Sequence, residues 1–237
     1  MIRRSKMIGI ICAMQLEADG IIALSENVKE TQIGGMKFYT AALHGREFVL
    51  VVCGEGKVNA AMCTATLIRE YSPSLIINSG VAGALSPIVS VGDIVVGSKA
   101  IEHDMDITAL GYKQGELNLP GKGLCMYFDC DKTAATRLTL ICRELPDTRV
   151  AQGIIASGDV FISDRKKRLL LNDRFGAVAC EMEGAAIGHV CRAFEVPFVI
   201  LRAISDDLDE NKGVDFKKFC QIAADKTVTV LGKFLSE

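Results

Sequence analysis

The chain has 237 residues, which is enough for one sizeable α/β domain with a buried core. Its 27 basic and 29 acidic residues give a formal net charge of −2, so no global field recruits nucleic acid or an anionic membrane, and we expect a small, largely uncharged partner. Apolar residues make up 49% of the chain, but its longest uncharged stretch, 71–92, is interrupted by prolines and glycines, which argues against a membrane-spanning helix.

Apolar runs and helical periods alternate in the first half of the chain. Short β-like runs punctuated by Gly34-Gly35 and His44-Gly45 are typical of an antiparallel meander with tight turns. The other predicted elements of this half are a strand at 7–14, a helix at 15–27, a helix at 57–71, a short strand at 74–78, a glycine loop at 79–85 and a strand at 93–103.

The same alternation continues to the C-terminus. The predicted elements are a non-periodic loop at 111–124, a helix at 131–145, a strand at 148–157, a helix at 163–175 capped by Ser163 or Asp164, a strand at 176–183, a helix at 184–195, a strand at 197–205 and an amphipathic helix at 215–235. Repeated strand-to-helix alternation predicts a mostly parallel, twisted central sheet with helices on both faces, in one domain over 1–237. The sequence leaves open whether residues 1–6 belong to the fold.

The nine cysteines are an odd number, and they are scattered through apolar segments. A chain of this length does not depend on disulfides, so we expect buried thiols in a reducing cytoplasm. No export signal is evident, because the apolar start meets acids at Glu17 and Asp19 and lacks a small-residue cleavage site. His189 and Cys191 on one predicted helix make a poor two-ligand zinc site, and we expect neither a metal nor a cofactor.

Polar residues follow several of the predicted strands. In sheets of this kind, ligands bind at the carboxyl ends of the strands, so these residues indicate a site. They are Glu17, the glycine loop, Ser157-Gly158-Asp159, the acids Glu181 and Glu183, and the group Arg202, Ser205 and Asp206. Each has a simpler interpretation: Glu17 and Glu183 could favour helix N-termini, Asp206 could belong to a solvated acidic turn, and Ser157-Gly158-Asp159 could be a turn.

Several common chemistries are absent from the sequence. It lacks the G-x-G-x-x-G dinucleotide motif, a complete P-loop and the G-x-S-x-G nucleophile motif, and its three histidines are dispersed. Carboxylate chemistry remains. Two or more acids with separate roles suit cleavage of a glycosidic bond, where one group protonates the leaving group and another stays ionised to activate water or hold the developing cation.

The segments "IGIICAMQLEA", "GEGKVNAA", "NSGVAGAL", "HDMDITALGY", "SGDVFI", "CEMEGAAIGHVC" and "VPFVILRAISDDLD" resemble those of 5'-methylthioadenosine/S-adenosylhomocysteine nucleosidases, in the purine nucleoside phosphorylase/uridine phosphorylase superfamily. The similarity runs in order from Met7 to the C-terminus. It implies a central twisted mixed sheet flanked by helices on both faces. It also implies hydrolysis of the two nucleosides in methionine salvage, with release of adenine and a 5-thio-substituted ribose.

The resemblance assigns roles to matching residues. Asp206 would protonate adenine N7 with help from Ser205, Glu17 would activate the attacking water near Arg202, and Glu183 would bind the ribose hydroxyls. The further substrate residues are Met182 against the ribose, Phe161 stacked on adenine, the backbone of Ile162 at the adenine edge, Val81, Ala82 and Gly83 in the glycine loop, Ala13 and Met14 in the 5' pocket, and Glu181. Without the resemblance, Met182 and Phe161 would be interpreted as core residues.

Family features also imply a homodimer, in which a loop around Ile107, Leu110 and Leu119 covers the neighbour's 5' pocket. Two residues depart from the family pattern: Val81 stands where relatives carry serine, and Leu110 where an aromatic is common. Two enzymatic alternatives remain, a phosphorylase and a hydrolase of another purine nucleoside of the futalosine type. A sensor that keeps the fold without the chemistry is a third.

Overall fold

A computed structural model describes residues 7–208 and 216–236, with side chains except at 216–219. The strands in these ranges are β1 (Ile8–Cys12), β2 (Glu26–Ile33), β3 (Met36–Leu43), β4 (Arg46–Val52), β5 (Leu75–Ala84), β6 (Ile94–Glu102), β7 (Leu117–Leu119), β8 (Gly123–Cys125), β9 (Phe128–Asp129), β10 (Val150–Ser157), β11 (Ala177–Glu181) and β12 (Phe198–Asp206). The α-helices are α1 (Gln15–Leu24), α2 (Lys57–Tyr71), α3 (Lys132–Cys142), α4 (Arg165–Phe175), α5 (Gly184–Phe194) and α6 (Phe216–Ser236).

Ten strands form one mixed sheet in the order β11-β10-β6-β12-β5-β1-β4-β3-β2, with β9 paired to β6. Parallel pairings join β1 to β4 and β5, β10 to β6 and β11, and β12 to β5. An equal number of antiparallel pairings includes the β2-β3-β4 meander and the β12–β6 pair. The predicted mixed sheet is confirmed. The expectation that it is mostly parallel is wrong, because apolar periodicity does not specify which strands pair.

The sheet also closes on itself beside the ends of three strands. The last residues of β5, Gly83 and Ala84, pair antiparallel with Cys180 and Ala179 of β11 while β5 also pairs with β12. Pairing on both sides brings the carboxyl ends of β5, β11 and β12 together. This junction positions the site described below.

Helices cover both faces of the sheet, as predicted. Helices α1 and α3 pack against α6 in one layer, and α2 packs against α5 in the other. Between these layers the central strands are fully buried, with apolar side chains such as Ile10, Leu50 and Ile77 completely inaccessible. Burial of these side chains supplies the main driving force for the fold.

Several predicted boundaries differ from the structure, most clearly at the end of α1, in β5 and in the loop that contains β7 and β8. Helix α1 ends at Leu24, not at 27, because Ser25 takes an extended conformation that leads directly into β2. The predicted glycine loop at 79–85 is instead the second half of β5, held as a strand by its two partners. The predicted loop at 111–124 includes most of a small β7–β8 hairpin, whose three-residue strands are too short to give a periodic signal.

Other local predictions are confirmed. Gly34 and Gly35 have φ of 58° and 84°, the left-handed values that a tight hairpin turn requires. Asp164 caps α4 by accepting a hydrogen bond from the Lys167 backbone N–H at 2.8 Å. All nine cysteines are buried free thiols. Residues 1–6 and the predicted helix start at Asp215 lie outside the described residues.

No helix in the described ranges is long and apolar enough to cross a membrane.

Candidate active site

A cavity of about 230 Å³ lies at the junction of β1, β5, β11 and β12. The residues given catalytic or substrate-binding roles by the resemblance all line this cavity except those of the covering loop around Ile107, Leu110 and Leu119. Of the strand-end residues, Ser157-Gly158-Asp159 and the outer parts of the glycine loop at 79–85 do not line it. Three further lining residues, Glu55, Val160 and Cys180, were not predicted. The structure therefore brings together residues that lie as far apart in the sequence as Ala13 and Asp206.

Glu17 lies in the first turn of α1 and is only 1% exposed. Its carboxylate accepts three backbone hydrogen bonds, from Ala13 and Met14 at 2.9 and 3.0 Å and from Val81 at 3.0 Å. Burial raises its pKa, while the charge of Arg202 and the three N–H donors oppose that rise. Glu17 thus both satisfies donors at a helix start and presents a carboxylate to the cavity.

Arg202 is the buried cation of the site. Its Nη2 donates to Glu181 Oε2, to Asn78 Oδ1 at 2.5 Å and to Glu183 Oε2 at 3.4 Å, and its Nη1 donates to the Val81 carbonyl at 3.3 Å. A fully buried guanidinium is stable only when paired in this way. Arg202 therefore holds two acids from the end of β11 in fixed positions.

Glu181 and Glu183 have the same side chain but different surroundings. Glu181 accepts hydrogen bonds from the Ser157 hydroxyl and from the backbone N–H groups of Glu183 and Gly184, at 3.2 and 2.8 Å, besides the Arg202 ion pair. Glu183 accepts a 3.0 Å bond from the Gly56 N–H and faces the cavity. Burial, together with the negative charge of Glu181, raises the pKa of Glu183 to about 7. Glu181 is thus a structural anchor, and Glu183 is the acid available to a ligand.

Asp206 ends β12 and lines the cavity. The Ser205 hydroxyl donates to its Oδ1 at 2.9 Å, and Arg168 donates to its Oδ2. The carboxylate side chain is 21% exposed, more than either glutamate. Asp206 is therefore a partly accessible acid with both oxygens already oriented.

The segment between β10 and α4 forms the wall beside Asp206. Phe161 is 59% exposed there, and Ile162 is buried. The Ile162 carbonyl accepts a 2.8 Å hydrogen bond from Arg168 Nε. An exposed aromatic ring next to a fixed backbone segment is suited to stacking on a planar ligand and to reading its edge.

Two positions in β5, Gly80 and Gly83, require glycine because charged side chains lie close to their Cα atoms. Backbone conformation is not the reason, since neither glycine has a positive φ. A Cβ at Gly80 would overlap Arg202 Nη1 and Glu17 Oε1, and one at Gly83 would lie 2.9 Å from Asp206 Oδ2. The strand conformation of this stretch was not predicted. Any side chain at Gly80 would displace two charged groups of the site.

Ile107 and Leu110 lie away from this chain's own cavity, around a 3₁₀ turn at Thr108–Leu110. Leu110 is 73% exposed, but Leu119 is only 1% exposed because its side chain packs in the core of its own chain. The Leu119 side chain is therefore not available to cover a neighbouring pocket, whereas that of Leu110 is.

Arg168 is the main residue of the site that the sequence analysis missed. It lies in the strongly charged segment "SDRKKRLLLNDRF", which has the composition of a solvated helix face. Its spacing holds the missing signal: Arg168, Leu171 and Phe175 are the buried residues of α4, at positions i, i+3 and i+7. An arginine in register with an apolar stripe needs a partner on the inner side of the helix, here Asp206.

Within the described ranges, no three His, Cys, Asp or Glu side chains are grouped so that they could hold a metal ion.

The sequence pattern of the Phosphorylase superfamily matches residues 7–236 of the chain. The chain belongs to this superfamily. A 5'-methylthioadenosine/S-adenosylhomocysteine nucleosidase from Shewanella loihica is 37% identical over 213 residues, which cover 90% of this chain and 91% of the relative. The predicted family resemblance is thereby confirmed.

Solved structures of the Phosphorylase superfamily match almost the whole chain. A crystal structure of the Neisseria meningitidis 5'-methylthioadenosine/S-adenosylhomocysteine nucleosidase, in complex with methylthio-immucillin-A, has a TM-score of 0.90 and 36% identity, covering 98% of this chain and 99% of that one. Futalosine hydrolase of Helicobacter pylori has a TM-score of 0.87 and 29% identity, covering 95% of each chain. The predicted nucleoside phosphorylase-like fold is thus confirmed.

Proposed function

We propose that the protein hydrolyses the N-glycosidic bond of 5'-methylthioadenosine and S-adenosylhomocysteine, releasing adenine and the 5-thio-substituted ribose. The observation that carries this proposal is the convergence of Glu17, Glu183 and Asp206 on one cavity, each with different hydrogen-bond partners. Cleavage through an oxocarbenium-like transition state needs acids in separate roles. The N. meningitidis nucleosidase has a similar fold, and both it and the S. loihica nucleosidase are more than a third identical to this chain over the matched residues.

Asp206 is the proposed general acid. It is the most accessible of the three acids, it lies beside the Phe161–Ile162 wall, and Ser205 orients one of its oxygens. A planar base stacked on Phe161, with its edge at the Ile162 backbone, would lie within reach of this carboxyl group. A proton delivered to adenine N7 makes the base a better leaving group.

Glu17 is the proposed base for the attacking water. Its three backbone N–H partners fix the carboxylate, and its raised pKa brings it closer to the range in which a base accepts a proton at neutral pH. The Arg202 charge nearby keeps an ionised form accessible in the dry cavity.

Glu183 is proposed to bind the ribose hydroxyls, with Met182 packed against the sugar. Its pKa of about 7 allows it to ionise at neutral pH, so that its negative charge stabilises the positive charge that develops on the ribose. Ala13 and Met14, adjoining the Gly54–Gly56 turn through the Gly54 N–H bond to the Ala13 carbonyl at 3.0 Å, are proposed to line the 5' pocket.

Water is favoured over phosphate as the nucleophile. Phosphate needs fixed positive charge near the sugar. Of the described residues that line the cavity, Arg202 alone is cationic, and both of its Nη nitrogens are bound, to Glu181, Glu183, Asn78 and Val81. The buried Glu17 carboxylate would also repel a phosphate anion. Val81, where relatives carry serine, still supports the water site through its backbone, because its N–H holds Glu17.

The test is an assay for free adenine in phosphate-free buffer with each nucleoside, repeated with added phosphate. We expect adenine and a free 5-thio-substituted ribose in both buffers at the same rate. A requirement for phosphate with formation of a sugar 1-phosphate would show a phosphorylase instead. A much higher kcat/KM for a futalosine-type nucleoside, run in parallel because of the H. pylori structure, would reassign the substrate.

We further propose that the protein is a homodimer and is cytoplasmic. Exposed apolar side chains at Val58 and Met62 of α2 and at Leu110 support a protein interface. Val58 lies two residues after Gly56, the partner of Glu183, so an interface there would adjoin the mouth of the cavity. Nine buried free thiols are compatible with a reducing compartment.

A further inference from the structure

Arg168 is a charged side chain in an apolar position. It is 4% exposed and shares the buried face of α4 with Leu171 and Phe175. Burial of a guanidinium is unfavourable unless its donors are satisfied, so the presence of Arg168 requires partners on the inner side of α4.

Three nitrogens of Arg168 bind three acceptors in two separate segments. Nε donates to the Ile162 carbonyl at 2.8 Å, Nη1 donates to the Asp207 carbonyl at 2.9 Å, and Nη2 donates to Asp206 Oδ2. Because the guanidinium is planar and rigid, these acceptors are held in a fixed mutual arrangement. Arg168 thus links the Phe161–Ile162 wall to the end of β12.

Neighbouring residues leave space for the Arg168–Asp206 pair and fix the position of Asp206. A Cβ at Gly83 would lie 2.9 Å from Asp206 Oδ2 and 3.4 Å from Arg168 Nη2, so the glycine leaves the space that the pair fills. Ser205 fixes the other oxygen of Asp206 at 2.9 Å. Asp206 therefore has a set position relative to the wall where the base is proposed to bind.

The geometry points to Arg168 as a positioning residue that fixes the orientation of Asp206 relative to the proposed binding site of the purine base. This inference rests on the proposed function. A base bound at the Ile162 backbone lies near Asp206, and the Arg168 guanidinium sets the distance between that backbone and the Asp206 carboxylate. A small misplacement of a reacting group costs about 100-fold in rate, so loss of the link lowers kcat more than it raises KM.

The test is a double-mutant cycle on adenine release from 5'-methylthioadenosine, with wild type, Arg168→Gln, Asp206→Asn and the double variant. We expect Arg168→Gln to lower kcat about 10- to 100-fold in the wild-type background. In the Asp206→Asn background, the same change should alter kcat by less than about threefold, because no proton donor remains to be positioned. Arg174→Gln, on the same helix but exposed, is the control and should leave kcat unchanged.

Melting temperatures are measured for every variant, and Arg168→Lys is tested as well because it keeps the charge but cannot reach all three acceptors. Three outcomes would each overturn the inference: an equal loss of kcat in both backgrounds, full activity of Arg168→Gln, or failure of both Arg168 variants to fold. The last outcome would show that Arg168 is a structural residue. If the wild type releases no adenine from either nucleoside, the proposed function fails, and that outcome is distinct from the others.

Discussion

At the scale of single residues, the site gives three carboxylates different chemistry through their partners. Glu17 accepts three backbone N–H bonds, Glu183 is bound by Arg202 and the Gly56 N–H, and Asp206 is bound by a hydroxyl and a second arginine. Burial raises the pKa of Glu17 and raises that of Glu183 to about 7. Separation of roles among like groups thus follows from their environment.

The pKa of Glu183 predicts a pH dependence. The ionised form is needed to hold the developing cation, so kcat/KM should fall as the pH is lowered through about 7 and Glu183 takes up a proton. Glu183→Gln should lower kcat/KM, because the ribose contact strengthens as charge develops. It should also remove the fall in kcat/KM near pH 7, the acidic limb of the pH profile. The measurement is kcat/KM from about pH 5 to about pH 9.

Glu55→Gln is the matched control, because Glu55 lines the same cavity but is exposed. It should retain the limb near pH 7. If Glu183→Gln keeps the same limb as the wild type, another group is responsible for it and the role given to Glu183 is wrong.

At the scale of elements, periodicity predicted most strands and helices but not their pairing. Helix α2 was predicted with its observed bounds, whereas the second half of β5 was predicted to be a loop. Glycines and a serine give that stretch low strand propensity, and it is a strand only because β12 and β11 pair with it. Tertiary partners of this kind are not visible in a local pattern.

The site was predicted more completely than the sheet. The acids at strand ends and the family motifs include every lining residue, and only Glu55, Val160 and Cys180 were given no place in the site. Arg168 was missed because its segment was predicted only as a charged, capped helix, although its spacing with Leu171 marks it as inward-facing. Leu119 was placed in a covering loop because the sequence does not show that its hairpin packs on the core.

At the scale of the whole molecule, closure of the sheet onto β11 brings together acids that are distant in sequence. Exposed apolar side chains of α2, Val58 and Met62, follow Gly56, which binds Glu183, and a second subunit is proposed to bind there.

Sedimentation velocity should therefore give twice the mass of one chain. Val58→Lys, at a side chain that is 77% exposed, should shift the protein toward monomer and lower kcat/KM, because the neighbour's loop no longer covers the 5' pocket. Leu140→Lys, which changes an exposed leucine on α3, should leave the mass and the activity unchanged. A monomeric wild type, or a fully active Val58→Lys monomer, would rule out this assembly.

Proton transfer from Asp206 to the departing adenine is tested most directly by measuring kcat for adenine release and Kd for 5'-methylthioadenosine in Asp206→Asn. Asparagine keeps the size of the side chain and its contact with Ser205 but cannot donate a carboxyl proton. We predict a kcat lower by about 10²- to 10⁴-fold with a Kd close to that of the wild type. An unchanged kcat would contradict the mechanism, because the base would then depart without help from this residue.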